Sequence, residues 1–148
     1  MVLILENIRS LYNVGSIFRS ADGFGVDKMY LCGYTGCPPR KEIAKTALGA
    51  EDVVPWEKQE NTSKLIQSLK KEGYKIVSLE KSKNSVDIKK YKWEEKTVLI
   101  LGNEIEGVAQ NVLDMSDDIV HIEMVGIKES FNVASAGAIA MYAWKSNQ

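Results

Sequence analysis

At 148 residues the chain suits one domain, large enough to bury a real hydrophobic core. Its 45% hydrophobic and 26% charged residues are ordinary for a globular protein, and no apolar run nears the ~20 residues that span a bilayer. A formal net charge of −1 excludes a chain that is basic throughout, so any contact with a polyanion must come from a local patch or from dimerisation that concentrates charge.

Residues 1–5 read as an apolar strand. They lack the basic n-region and long h-region of a signal peptide, which points to the cytoplasm. In the loop that follows, Asn13 fits the N-cap of a helix over 14–23. Arg19, six residues on, carries a rigid, always-charged fork suited to phosphate or carboxylate. A surface arginine on an amphipathic helix accounts for Arg19 equally well, and Gly15 suits close helix–strand packing. A strand over 28–33 runs into the sharpest break in periodicity, residues 34–40, with Gly36 and Pro38-Pro39. Next come a helix over 41–48, a strand over 53–56, and a helix over 62–72 capped by Asn61 or Thr62 and ended by Gly73. Strands over 74–79, 97–102 and 119–124 alternate with helices over 108–115 and 133–145. Several strands are apolar without interruption, the pattern of burial on both faces. This alternating βαβα order predicts a single α/β domain over 1–148 with a mostly parallel sheet flanked by helices.

Ligands of open α/β sheets bind beyond the carboxyl ends of the strands, and three segments there are chemically unusual. The first is residues 7–19. The second is Gly102-Asn103-Glu104-Ile105-Glu106-Gly107, where glycines permit close backbone approach and a sharp turn; the helix dipole also explains its two glutamates. The third runs from Gly126 through Ser130 and Asn132 into a helix of small residues. There Ser130 and Asn132 could present polar atoms into one cavity, or Ser130 could simply cap the helix. Neither a Walker A loop nor a G-x-G-x-x-G fingerprint is present. Cys32 and Cys37 are too few for a disulfide framework, and His121 has no partner at ligand spacing, so no metal is expected. Arg9, Arg19, Arg40, Lys41 and Lys45 are the candidate nucleic-acid-contacting cations, whereas Lys70-Lys71 and Lys89-Lys90 suit solvated faces.

Asn13-Val14-Gly15-Ser16-Ile17-Phe18-Arg19-Ser20-Ala21 resembles the first motif of the SpoU (TrmH) RNA 2′-O-methyltransferases. Leu99-Ile100-Leu101-Gly102-Asn103-Glu104-Ile105-Glu106-Gly107-Val108 is similar to the second. Ile122-Glu123-Met124, Gly126 and Ser130-Phe131-Asn132-Val133-Ala134-Ser135-Ala136 are similar to the third. The motifs stand in the family's order and cover essentially the whole chain. Phe131 replaces a common leucine and Glu123 a common proline, which bears on the fit of an adenine pocket. The family's polar residues are intact, and no RNA-binding extension precedes the first motif.

The resemblance implies a SPOUT fold with a C-terminal deep trefoil knot, an arrangement that ordinary topology rules would not suggest. It implies S-adenosyl-L-methionine as cofactor, with Gly102, Ile122 and Phe131 in its site and Leu79 added to the same wall. It further implies a homodimer with each active site at the subunit interface, and transfer of a methyl group to a ribose 2′-hydroxyl of tRNA or rRNA. Arg19 would be the catalytic base or an orienting cation. Asn13, Ser130 and Asn132 would position the reacting groups, and Glu104 would brace the site. A SPOUT enzyme that methylates a base nitrogen, and a cofactor-free RNA-binding or assembly protein of the same fold, are the competing expectations.

Overall fold

The computed structural model describes residues 1–148. Seven strands form one sheet in the order β3-β2-β1-β6-β4-β7-β5. Every pairing between them is parallel. The strands are β1 (Val2–Glu6), β2 (Lys28–Cys32), β3 (Trp56–Gln59), β4 (Lys75–Leu79), β5 (Val86–Asp87), β6 (Thr97–Leu101) and β7 (Asp118–His121). The helices are α1 (Leu11–Phe24), α2 (Lys41–Ala47), α3 (Thr62–Lys71), α4 (Gln110–Met115) and α5 (Val133–Lys145).

The central strands β1 and β6 are buried at every position, as their unbroken apolar sequences require. Alternation sorts their side chains to opposite faces. Leu3, Leu5, Leu99 and Leu101 meet α1, α2 and α5, while Val2, Ile4, Val98 and Ile100 meet α3 and α4. On the first face α1 and α2 touch closely: a Cβ on Gly15 would lie 2.2 Å from the carbonyl oxygen of Ile43. No helix is long and apolar enough to cross a membrane.

Three local expectations are corrected. The strand expected over 53–56 is β3, Trp56–Gln59, preceded by a 3-10 turn at Ala50–Asp52. Pro55 has no N–H to give a ladder, and its carbonyl instead accepts from Met29. The turn drops Val54 into the core and leaves Val53 outside. Secondly, α1 begins earlier than expected. Ser10 is its cap, its Oγ accepting from the Asn13 N–H at 3.3 Å, which places Asn13 inside the first turn. Thirdly, β7 ends at His121, so residues 122–132 form a loop rather than extending the strand. The short edge strand β5 (Val86–Asp87) lies in a charged stretch that carries no strand periodicity.

Candidate active site

The carboxyl ends of β6, β4 and β7 open into a cleft of about 210 Å³. Leu79 and Glu80 come from the end of β4, Leu101 and the 102–107 turn from the end of β6. His121 and Ile122 come from the end of β7, and Ser130, Phe131, Val133 and Ala136 from the loop and first turn of α5. All four residues expected to hold a cofactor, Leu79, Gly102, Ile122 and Phe131, therefore line one cavity, and so do Glu104 and Ser130.

The floor of the cleft is backbone packed on backbone. A Cβ on Gly102 would stand 2.4 Å from both the Gly107 carbonyl carbon and the Val108 nitrogen. Asn103 and Gly107 exchange backbone hydrogen bonds at 3.1 and 2.9 Å, closing the turn with Gly107 at φ 72°, a conformation that favours glycine. The Asn103 side chain is almost fully buried and uses its whole capacity. Its Oδ1 accepts from the N–H groups of Ile105 and Glu106, and its Nδ2 donates to the Asn7 carbonyl and the Tyr34 hydroxyl.

A polar chain runs along the edge of the cleft and ties the three motifs together. Glu104 accepts from the N–H of Arg9 at 2.8 Å, the N–H of Ser10 at 3.0 Å and Asn13 Nδ2 at 3.1 Å. Asn13 Oδ1 in turn accepts from Asn132 Nδ2 at 3.0 Å. Asn132, not Ser130, caps α5, its Oδ1 accepting from Ala134 and Ser135. Burial by itself would raise the Glu104 carboxyl. The N–H groups of Arg9 and Ser10 and the Asn13 amide stabilise its charged form more, and hold it below the ordinary 4.5.

Arg19 stands apart from this chain. It lies six residues past Asn13 on α1, about 9 Å along the axis and about 120° around it. Its side chain is exposed, pairs with no carboxylate and does not line the cleft of its own chain.

Two carboxylates that sequence reasoning missed hold the segment behind the turn. Glu80 accepts from the Val108 N–H at 3.0 Å and buried Glu6 from the Ala109 N–H at 3.3 Å. Burial pushes the Glu6 carboxyl up, against the opposing bonds from Ala109 and Thr62. The one available signal was position, since each is the residue at or just beyond a strand's carboxyl end. Cys32 is buried on the α3/α4 face, where burial pushes its thiol up to about 12; it is no nucleophile at neutral pH. No group of three or more His, Cys, Asp or Glu side chains gathers as metal ligands.

The sequence model of the SpoU rRNA Methylase family matches residues 1–142. The chain belongs to that family. A protein of Staphylococcus aureus named for the TrmH family of tRNA/rRNA methyltransferases is 31% identical over 141 residues, covering 95% of this chain and 56% of its own length. This SpoU-family chain thus spans about half the length of the curated relatives it matches. Among solved structures, the TrmH/SpoU tRNA modifying enzyme of A. aeolicus superposes with a TM-score of 0.90 at 28% identity, over 99% of this chain and 74% of that one. The S-adenosylmethionine-bound rRNA methyltransferase of Sinorhizobium meliloti gives 0.91 at 26%, over 98% and 55%. The expected SPOUT architecture of parallel sheet and flanking helices is therefore the observed one.

Proposed function

We propose that the chain transfers a methyl group from S-adenosylmethionine to a ribose 2′-hydroxyl of tRNA or rRNA. The observation that carries this reading is the Glu104–Asn13–Asn132 chain of hydrogen bonds, which joins all three motifs at the edge of the strand-end cleft. Family membership supports it, as do the substrates named for the A. aeolicus and S. meliloti proteins.

The lining fits that cofactor. Apolar walls from Leu79, Ile122 and Phe131 suit an adenosine, and the tightly packed 102–107 turn brings backbone groups to the lining. His121 lines the cleft with a buried Nδ1 that has no partner, an unmet capacity that a polar ligand would fill. When bound, S-adenosylmethionine supplies an electrophilic methyl group on a sulfonium centre.

The protein's own part is positioning and proton handling. A ribose hydroxyl is a poor nucleophile, and holding it in line with the methyl group accounts for much of the rate. Asn132 and Ser130 flank the mouth of the cleft, and Glu104 orients Asn132 through Asn13. Arg19 provides the cation beside the reacting hydroxyl, either taking its proton or orienting it against a phosphate.

Since Arg19 does not reach its own cleft, a second copy of the chain would deliver it. Exposed apolar side chains on the 102–107 turn and the 122–132 loop agree with a homodimer that covers them: Ile105 is 74% exposed, Val125 97% and Ile127 96%. At about 210 Å³ the cleft of one chain also falls short of the roughly 300–1,000 Å³ of a complete ligand site. A partner's surface would close it. The 122–132 loop is the segment that a trefoil knot would thread.

The decisive experiment incubates the 148-residue chain with S-adenosylmethionine and RNA from cells lacking its gene. Products are digested and analysed by mass spectrometry. A new 2′-O-methyl nucleotide, resistant to alkaline cleavage at its 3′ phosphodiester, is the expected product. A methylated base would transfer the assignment to base-nitrogen chemistry. No methylation, with no cofactor binding by calorimetry, would leave an RNA-binding or assembly protein.

A further inference from the structure

Tyr34 is a large aromatic side chain left 59% exposed, yet the short segment that carries it is held at almost every polar group. The Gly33 N–H donates to the Gln59 carbonyl, the Thr35 N–H to the Cys32 carbonyl, and the Tyr34 N–H to Asn7 Oδ1 at 3.1 Å. The carbonyls of Gly33 and Thr35 both accept from Lys58 Nζ. Thr35 Oγ1 is buried, donating to the Leu5 carbonyl and accepting from the Ile8 N–H. The far end of the ring is fixed as well, since its hydroxyl accepts from Asn103 Nδ2 at 2.6 Å. Asn103 is the residue that organises the turn at the floor of the cleft.

An exposed ring normally moves freely and loses that freedom on binding. This one is already immobilised at both ends. Its open face costs burial energy that folding alone does not recover, so the rigid mounting is explained by a flat ligand. Charge selects the ligand's class. The backbone of Arg9, which forms no ion pair, is anchored to Glu104 next to Asn103. The loop that begins at Tyr34 runs on to exposed Arg40 and Lys41, of which only Arg40 approaches a carboxylate, at 3.9 Å. A flat aromatic face, with exposed cations on its own loop and on the segment bonded to Glu104, matches single-stranded nucleic acid, whose bases stack on such rings while the backbone meets the cations. A second copy of the chain would bring like charges together there.

We propose that Tyr34 is a stacking platform for a base of the substrate RNA next to the methylated nucleotide, and so a positioning residue for the transfer. The proposal rests on the RNA methyl-transfer reading above. Its test measures KM for short RNA (the tRNA fraction) and long RNA (the rRNA fraction) from cells lacking the gene, with the wild-type chain and with Tyr34→Ala, Tyr34→Phe and Tyr34→Trp. Tyr34→Ala should raise KM for the accepted fraction about 5- to 150-fold, the range for loss of one stacked base. The flat replacements Tyr34→Phe and Tyr34→Trp should keep most of the affinity, although Phe lacks the hydroxyl bonded to Asn103. S-adenosylmethionine affinity and dimer mass should be unchanged in all three.

Wild-type turnover with an unchanged KM in Tyr34→Ala would overturn the platform alone. A change of oligomeric mass in Tyr34→Ala would also overturn it and assign the ring to the contact between copies. Equal losses in Tyr34→Ala and Tyr34→Phe would show that only the hydroxyl matters. A wild-type chain that methylates neither fraction would remove the underlying reading and this one with it.

Discussion

Replacing Glu104 with glutamine keeps the side chain's shape and removes its charge. The carboxylate accepts three hydrogen bonds, one through Oε2 from Arg9 and two through Oε1 from Ser10 and Asn13. Glutamine has a single oxygen. If that oxygen faces Ser10 and Asn13, the amide NH₂ meets the Arg9 N–H donor to donor, one bond is lost and two become neutral. Bonds to a charged group contribute roughly 1.5–3 kcal/mol and neutral ones roughly 0.5–1.5. Arg9 is exposed and Glu104 only half-buried, so water recovers part of the loss. The expected destabilisation is about 2–3 kcal/mol, a fall in Tm of roughly 5–10 °C for a chain of this size.

The effect should depend on pH in one direction. The Glu104 carboxyl is held below its ordinary 4.5 in the folded chain. Its stabilisation is therefore fully present above that value and lost as pH falls through the folded-state value. Scanning calorimetry of wild type and Glu104→Gln, from neutral pH down through the carboxylate range, should show a gap that narrows in acid. Equal Tm values at neutral pH, or a gap that stays constant into acid, would refute the bracing role. Since Asn132 is held through Asn13, the same variant should lose methyl transfer more than S-adenosylmethionine affinity.

Arg19→Ala should keep the fold and cofactor binding while RNA methylation collapses, and near-normal turnover would remove Arg19 from the chemistry. If the site is shared between two copies, mixing Arg19→Ala with Asn132→Ala should restore activity that neither has alone. Failure to complement in proven mixed dimers would argue for a site within one chain. Gly102→Ala places its Cβ 2.4 Å from the backbone at Gly107 and Val108, so the turn must open. Cofactor affinity should fall at least about tenfold, with the circular dichroism spectrum retained; unchanged affinity in calorimetry would contradict the packing of that floor. Ala136 lines the cleft from α5, and Ala136→Leu should weaken cofactor binding or dimerisation. Normal affinity with normal dimer mass would return α5 to ordinary core packing.

Much of this protein is written in local pattern. The unbroken apolar runs at β1 and β6 announce strands buried on both faces. Small residues announce the close packing of α5, and the 102–107 glycines announce a tight turn. Those features act over a few residues, where side-chain size and backbone freedom decide the outcome. Elements whose form depends on distant partners were less legible. Trp56–Gln59 becomes a strand because β2 offers its edge, although its own sequence is polar, and Val86–Asp87 pairs because β7 runs alongside.

The site divides the same way. Asn13 and Glu104 can be picked out from sequence as polar residues close to glycines, and Asn132 as one at the start of a helix of small residues. Asn13 and Glu104 nevertheless stand 91 positions apart, and Asn13 and Asn132 stand 119 apart. Only β1 beside β6, with α5 packed against α1, brings those segments within hydrogen-bond reach. Only tertiary structure shows that Ser10 and Asn132 take the caps, that Glu6 and Glu80 hold the segment after the turn, and that Arg19 does not line its own cleft. A hydrogen bond or an exposed face is a relation between segments, and the local chain carries just one half of each.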